Sequence, residues 1–248
     1  MTTRKQGLRL LEKRRETEDA VSLVFEQPTE PYRYRPGQFL TLELTIAGRV
    51  VRRAYSLSSC PTRDEHLAVT VQRIPGGLVS NHLHDELAVG DEVMVLPPVG
   101  RFCIDVDPER YRTYYLFGAG SGITPLMSIL ETVLHSEPDG HVRLLYGNRN
   151  EDRVIFRDRL AELCSLHPER LTVVHSLSRP LRDTWSSLWR WGDVDQEARQ
   201  GRIDEETLRW FFREHPPVSQ DAQYFTCGPG AMIETVTDAL RRLGVPDE

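Results

Sequence analysis

Three glycines spaced two residues apart, Gly118, Gly120 and Gly122, stand between the apolar run Tyr114–Phe117 and a stretch, Leu126–Leu134, whose apolar residues recur at helical spacing. The order reads strand, glycine turn, helix. Bare backbone N–H groups and the positive end of a helix gather at such a turn, which is the chemistry of an anion cradle and suits a pyrophosphate. Glycine lets the chain turn sharply and lets a diphosphate approach without meeting a Cβ, and Pro125 fits a first helical turn that needs no donor. Ile123 stands where the usual dinucleotide fingerprint has its third glycine. Taken alone, the segment serves equally well as a tight strand-to-helix turn.

A second anion-friendly feature lies upstream, where Pro75-Gly76-Gly77-Leu78-Val79-Ser80 joins a strand to a short helix running to Leu87. Ser80 is expected to cap that helix, leaving another helix start open to a phosphate. Before it comes Arg52-Arg53-Ala54-Tyr55-Ser56-Leu57, which combines a guanidinium, an aromatic ring and a hydroxyl at the end of a strand. By alternation Arg53 and Tyr55 share one face and Ser56 takes the other. Arginine can grip a phosphate in a fork, and tyrosine offers a flat surface to a conjugated ring. The plainer readings are a serine-capped glycine turn and an edge strand with a solvated arginine pair. Cys227, likewise, is by itself a small buried hydrophobe at the end of a strand.

These residues require two kinds of scaffold, and the texture of the chain changes near residue 110. Before it, short alternating segments (Leu8–Leu11, Ala20–Phe25, Phe39–Ile46, Leu67–Val71, Val93–Leu96) are separated by glycine-containing turns, as in an antiparallel barrel or sandwich. After it, apolar strands alternate with helical stretches, the order of a parallel sheet wrapped by helices. Two domains are therefore expected, 1–108 and 109–248, joined at Asp105–Glu109. Residues 179–199, with Trp185, Trp189 and Trp191 among charges, read as an irregular insertion whose tryptophans cap the sheet or form a docking patch, packing being favoured because large aromatics usually serve burial.

Composition narrows the function. A net charge of -6 over 248 residues offers no basic excess for a nucleic-acid binder. No apolar run approaches the roughly 20 residues of a membrane span, and the polar start Met1–Gln6 has no apolar signal core behind it, so a cytoplasmic location is expected. Cys60, Cys103, Cys164 and Cys227 are too scattered for a zinc ribbon or an iron-sulfur loop, and His82 and His84 are two apart on a helix, so no metal site is readable.

Arg53-x-Tyr55-Ser56-Leu57, Gly77-x-x-Ser80, Gly118-x-Gly120-x-Gly122-x-Thr124-Pro125 and Cys227-Gly228-Pro229-x-x-Met232 together resemble, in order and spacing, the ferredoxin-NADP reductase superfamily. Tyr146-Gly147-Asn148-Arg149-Asn150, Gly201-Arg202-Ile203-Asp204 and Leu243-Gly244-Val245-Pro246 are similar to the reductase components of bacterial multicomponent oxygenases, with the phenylacetyl-CoA epoxidase reductase subunit as the nearest type. The resemblance implies an N-terminal flavin-binding antiparallel barrel and a C-terminal parallel-sheet domain for NAD(P)H. It implies that Arg53 holds a flavin phosphate, Tyr55 lies on the isoalloxazine, Ser56 hydrogen-bonds near N5 beside Leu57, and Gly77, Leu78, Val79 and Ser80 cradle the FAD pyrophosphate. Gly118, Gly120, Gly122, Thr124 and Pro125 are then expected to bind the NAD(P)H pyrophosphate, with Cys227, Gly228 and Pro229 beside the nicotinamide. Tyr55, Ser56 and Cys227 are the residues expected at the reacting atoms.

Arg149 at the second strand tip and Ser178-Arg179 after the third match the set that receives a 2'-phosphate, which favours NADPH, with NADH as the alternative. The implied activity is hydride transfer from NADPH to FAD, followed by single-electron delivery to a ferredoxin, an iron-sulfur protein or an oxygenase component. The competing reading is a non-catalytic flavin- and nucleotide-binding subunit of a larger redox complex. The resembled subtype continues past the proline with a strand and a 2Fe-2S domain, whereas this sequence ends at Asp247-Glu248, so the cluster is expected on a continuation of the chain or on another protein.

Overall fold

The computed structural model describes residues 5–181, 188–191 and 194–245. In chain order, the first part holds β1 (Gln6–Arg15), β2 (Ala20–Phe25), β3 (Phe39–Ile46), β4 (Arg49–Ser56), β5 (Leu67–Gln72), helix α1 (Leu78–Asp85) and β6 (Glu92–Val99). The second begins with β7 (Thr113–Ala119), a single 3-10 turn at Gly120–Gly122, α2 (Ile123–Ser136), β8 (His141–Asn148), α3 (Arg157–Leu166) and β9 (Leu171–Leu177). It continues through β10 (Leu188–Trp191), β11 (Val194–Gln200), α4 (Glu205–Glu214), β12 (Ala222–Cys227) and α5 (Gly230–Arg242). The chain divides into two compact units, Met1–Val106 with Thr124–His135, and Asp107–Ile123 with Ser136–Glu248.

In the first unit the strands pair antiparallel in the order β4-β3-β6-β1-β2-β5. Alternation puts Leu8 and Leu10 of β1, Leu40 and Leu42 of β3, and Val93 and Val95 of β6 into one core. The two edge strands approach each other, and a bridge between Leu57 and Val69 closes the sheet into a barrel. Closure buries Leu57 and removes the open edge that β4 would otherwise present. Ala47 and Gly48, both at positive φ, form the two-residue turn that pairs β3 with β4 and so sets Tyr55 opposite Leu40 and Arg53 opposite Leu42.

The second unit is a sheet in the order β10-β11-β9-β8-β7-β12, parallel except for the β10 edge. Tyr114, Tyr115, Leu116 and Phe117 of β7 are all buried, as expected of a central strand that is covered on both faces. Their polar ends are satisfied: Tyr114 donates to Glu137 at 2.8 Å and Tyr115 donates to the His215 carbonyl at 2.8 Å. Residues 188–191 and 194–200 correct the expectation of an irregular insertion. They form the β10–β11 hairpin, and β11 runs parallel to β9 from Glu197 opposite Val174 to Gln200 opposite Leu177. Trp185 lies outside the described residues. Among the described residues, no helix is long and apolar enough to cross a membrane.

Candidate functional site

The chain leaves β7 toward β8 and β9 on one side, while β12 returns on the other. The β7–β12 pair is therefore the topological switch point, where ligands settle outside the carboxyl ends of an open α/β sheet. Parallel register brings Cys227 of β12 and Tyr146 of β8 level with Gly118 of β7, and Gly147 level with Ala119. The glycine turn and Cys227 thus converge at one edge from positions more than a hundred residues apart in sequence.

Each glycine has its own physical reason. Gly118 is the buried penultimate residue of β7. Gly120 takes φ +53°, a conformation side chains resist. Gly122 has ordinary φ but lies against the end of β12, where a Cβ would stand 2.1 Å from the Cys227 carbonyl oxygen. Its role is close approach of turn to strand. Ile123 opens α2 fully buried, which explains why an apolar residue replaces a third glycine; Thr124 and Pro125 follow, both buried in the first turn. Gly228 is less tightly held, its ideal Cβ 2.9 Å from the movable Met232 methyl, and Pro229 is the N-cap of α5 without a side-chain hydrogen bond. Burial pushes the Cys227 thiol up, so it is a neutral, compact group.

At the neighbouring strand ends, Ser178 donates its N–H to the Asn148 carbonyl at 3.0 Å and Arg179 donates to the Arg149 carbonyl at 2.7 Å. Arg149 and Arg179 are both exposed. Among the described residues, the buried amide nitrogen of Asn148, Oδ1 of Asn150 and Oγ1 of Thr226 have no hydrogen-bond partner. Orphaned buried polar atoms are uncommon, and three of them near the carboxyl ends of β8 and β12 fit a polar ligand there.

The first unit arranges the other set. Tyr55 is half-buried against the barrel core, and burial raises its phenol pKa, with the Arg53 charge opposing. Arg53 is exposed; among the described residues it makes no ion pair and donates only to the Arg52 carbonyl at 2.7 Å. Ser56 ends β4 opposite Phe39, and Leu57 donates its N–H to the Gln38 carbonyl at 2.9 Å. In α1 the structure corrects the expected cap. The N-cap is Gly77, in extended conformation and without a side-chain hydrogen bond, while Ser80 is the third helical residue. The buried Ser80 hydroxyl instead accepts the Ile74 N–H at 3.1 Å, tightening the turn from the inside. A Cβ on Gly77 would come within 2.6 Å of that hydroxyl oxygen, so the glycine is sterically required. With no side chain over its first turn, α1 presents bare N–H groups beside exposed Leu78 and buried Val79, a cradle that fits a diphosphate.

A cavity of about 660 Å³ in the same unit is lined by Tyr32, Tyr34, Arg35, Thr62 and Ile104 among others, and by none of these residues.

A closed antiparallel barrel with an uncapped glycine turn, followed by a parallel sheet with a glycine turn at its switch point, defines a flavin- and pyridine-nucleotide-binding oxidoreductase. Residues 7–104 match the oxidoreductase FAD-binding domain family, and residues 116–238 match the oxidoreductase NAD-binding domain family. The chain belongs to the ferredoxin-NADP reductase family. It is 35% identical over 236 residues to a subunit of 1,2-phenylacetyl-CoA epoxidase from Escherichia coli K12, covering 94% of this chain and 63% of that protein. It is 40% identical over 240 residues to the ferredoxin reductase component of 3-ketosteroid-9-alpha-monooxygenase from Mycolicibacterium smegmatis, covering 94% and 60%. The chain thus spans about three fifths of the length of these curated relatives. Among solved structures, the flavohem-like FAD/NAD-binding domain of nitric oxide dioxygenase from Vibrio cholerae superposes with a TM-score of 0.79 at 26% identity, covering 98% of this chain and 94% of that one.

Tyr146, part of the Tyr146–Asn150 motif, donates its hydroxyl to the Gly120 carbonyl at 3.0 Å, a partner set by strand register that no local pattern reveals.

Proposed function

We propose that this chain takes hydride from NADPH onto FAD and passes electrons singly to a ferredoxin-like or iron-sulfur acceptor, as the reductase component of a multicomponent oxygenase. Bound FAD supplies the two-electron to one-electron conversion, and the protein supplies binding, orientation and exclusion of water. By sequence, residues 1–108 serve the flavin and 109–248 the nucleotide. Arg53 grips a flavin phosphate, Tyr55 lies against the ring, Ser56 donates near the hydride-accepting nitrogen, and Gly77 to Ser80 take the pyrophosphate. Gly118, Gly120, Gly122, Thr124 and Pro125 take the pyrophosphate of the nucleotide, Cys227 with Gly228 and Pro229 packs beside the nicotinamide, and Arg149, Ser178 and Arg179 receive the 2'-phosphate.

The observation that carries this reading is the register that sets the Gly118–Gly122 turn beside Cys227, in a chain whose other unit holds Arg53, Tyr55 and the uncapped α1 start. The relatives named as reductase components of monooxygenases support the class of acceptor. A cytoplasmic location is part of the proposal, supported by four free cysteines. The test is NADPH-dependent reduction of ferricyanide by the FAD-loaded chain. Rapid turnover that requires added FAD is expected. Negligible turnover by protein that binds both FAD and NADP+ would overturn the catalytic reading and leave a binding subunit.

A further inference from the structure

The geometry points to Tyr146 as a positioning residue for the nucleotide turn, an inference that rests on the reading of Gly118–Pro125 as the pyrophosphate cradle. Tyr146 lies fully buried in β8, and its hydroxyl donates to the Gly120 carbonyl at 3.0 Å. The same oxygen accepts the Ile123 N–H as α2 begins, so both of its lone pairs are engaged by the body of the unit. None of the described peptide bonds is cis, and a trans peptide points its C=O and N–H in opposite directions. Holding the Gly120 oxygen inward therefore turns the Ser121 N–H outward, and Ser121 is exposed. Glycine at φ +53° has little steric preference of its own for one orientation of that peptide. The Ile123 N–H holds that oxygen from within the turn, and Tyr146 adds a second hold from outside it.

Tyr146 can supply it because its own ring is fixed. His175 of β9, also fully buried, lies beside it with ring centroids 6.0 Å apart. The hydroxyl is thus presented from a packed side chain, which is what preorganisation of an anion-binding backbone requires. Tyr146 acts through Gly120 and does not itself touch the nucleotide.

The experiment compares FAD-loaded wild-type protein with Tyr146→Phe, which keeps the ring and removes the hydroxyl, using calorimetric titration with NADP+ and with adenosine 2'-monophosphate. The second probe carries the 2'-phosphate and no pyrophosphate. The expected result is a dissociation constant for NADP+ raised about 3–10-fold, the scale of one hydrogen bond, with adenosine 2'-monophosphate unchanged. The KM for NADPH should rise while kcat stays within about twofold. Unchanged NADP+ binding, or equal weakening of both probes, overturns the positioning role. Failure of the wild type itself to bind NADP+ overturns the underlying reading of the turn instead.

Discussion

Arg179 donates its backbone N–H to the carbonyl of Arg149 at 2.7 Å, which ties together the loops that follow β9 and β8 and sets two exposed arginines side by side. A phosphate held by such a pair gains charge-assisted hydrogen bonds of about 1.5–3 kcal/mol each. Arg179→Ala is expected to raise the KM for NADPH about ten- to hundredfold while changing that for NADH less than about twofold, since 1.4 kcal/mol is a factor of ten. Steady-state kinetics with both nucleotides decides. An equal rise for both would separate Arg179 from the 2'-phosphate.

Arg53 leans on no acidic partner among the described residues, so removing it sacrifices little of the fold. Arg53→Ala should lower FAD affinity about tenfold or more and leave the melting temperature of the flavin-free protein unchanged, because a surface substitution away from packed groups costs about 0.5 kcal/mol or less. Flavin retained through desalting, measured by absorbance, is the check. Full retention would place the flavin phosphates elsewhere.

Much of this arrangement is legible in the sequence, and the failures share a cause. The β7 strand, the turn and α2 are readable because period-two and period-3.6 patterns switch across three glycines, and the Arg53–Tyr55 face follows from alternation. The β10–β11 hairpin is hidden because tryptophans and charges obscure the alternation of 188–200. Ser80 has the look of a cap, yet the extended backbone of Gly77 starts the helix three residues earlier and leaves the hydroxyl to the Ile74 N–H. The steric role of Gly122 and the reach of Tyr146 to Gly120 depend on partners far away in sequence, which local spacing does not encode. Ser128 donates to the Ser59 carbonyl at 2.6 Å, and Glu131 pairs with Arg63, bonds within the first unit that likewise join residues far apart in sequence.

Gly122 offers a direct steric test. A methyl there would stand 2.1 Å from the Cys227 carbonyl oxygen, a backbone atom that cannot swing aside. Gly122→Ala should cost about 1–3 kcal/mol, as overpacking does, and lower the melting temperature by about 2–4 °C for each kcal/mol. It should also impair NADPH oxidation more than FAD binding. A variant with wild-type melting and kinetics would show that the turn and β12 are not in contact.

Alkaline pH probes the base of β7. Burial pushes the Tyr114 phenol up to about 12, with the Arg110 hydrogen bond opposing and the Glu137 hydrogen bond adding to the rise. Between about pH 10 and 12 the unfolded chain loses this proton and the folded chain keeps it. The stability that Tyr114 contributes is therefore fully present below about pH 10 and is lost as pH rises toward 12, by at most about 1.4 kcal/mol per pH unit. Tyr34 and Tyr115 are raised by burial as well, so Tyr114→Phe should make the decline of melting temperature from pH 9.5 to 11.5 shallower without abolishing it. Parallel declines in the two proteins would contradict this.

The central claim is that nicotinamide and flavin react on this chain, and anaerobic mixing of the FAD-loaded protein with excess NADPH reads that reaction without any acceptor. Loss of the visible absorption of oxidised flavin, at a rate that saturates with NADPH concentration, is the result predicted. Flavin that stays fully oxidised, under conditions where NADP+ binding is shown separately to be complete, would contradict it.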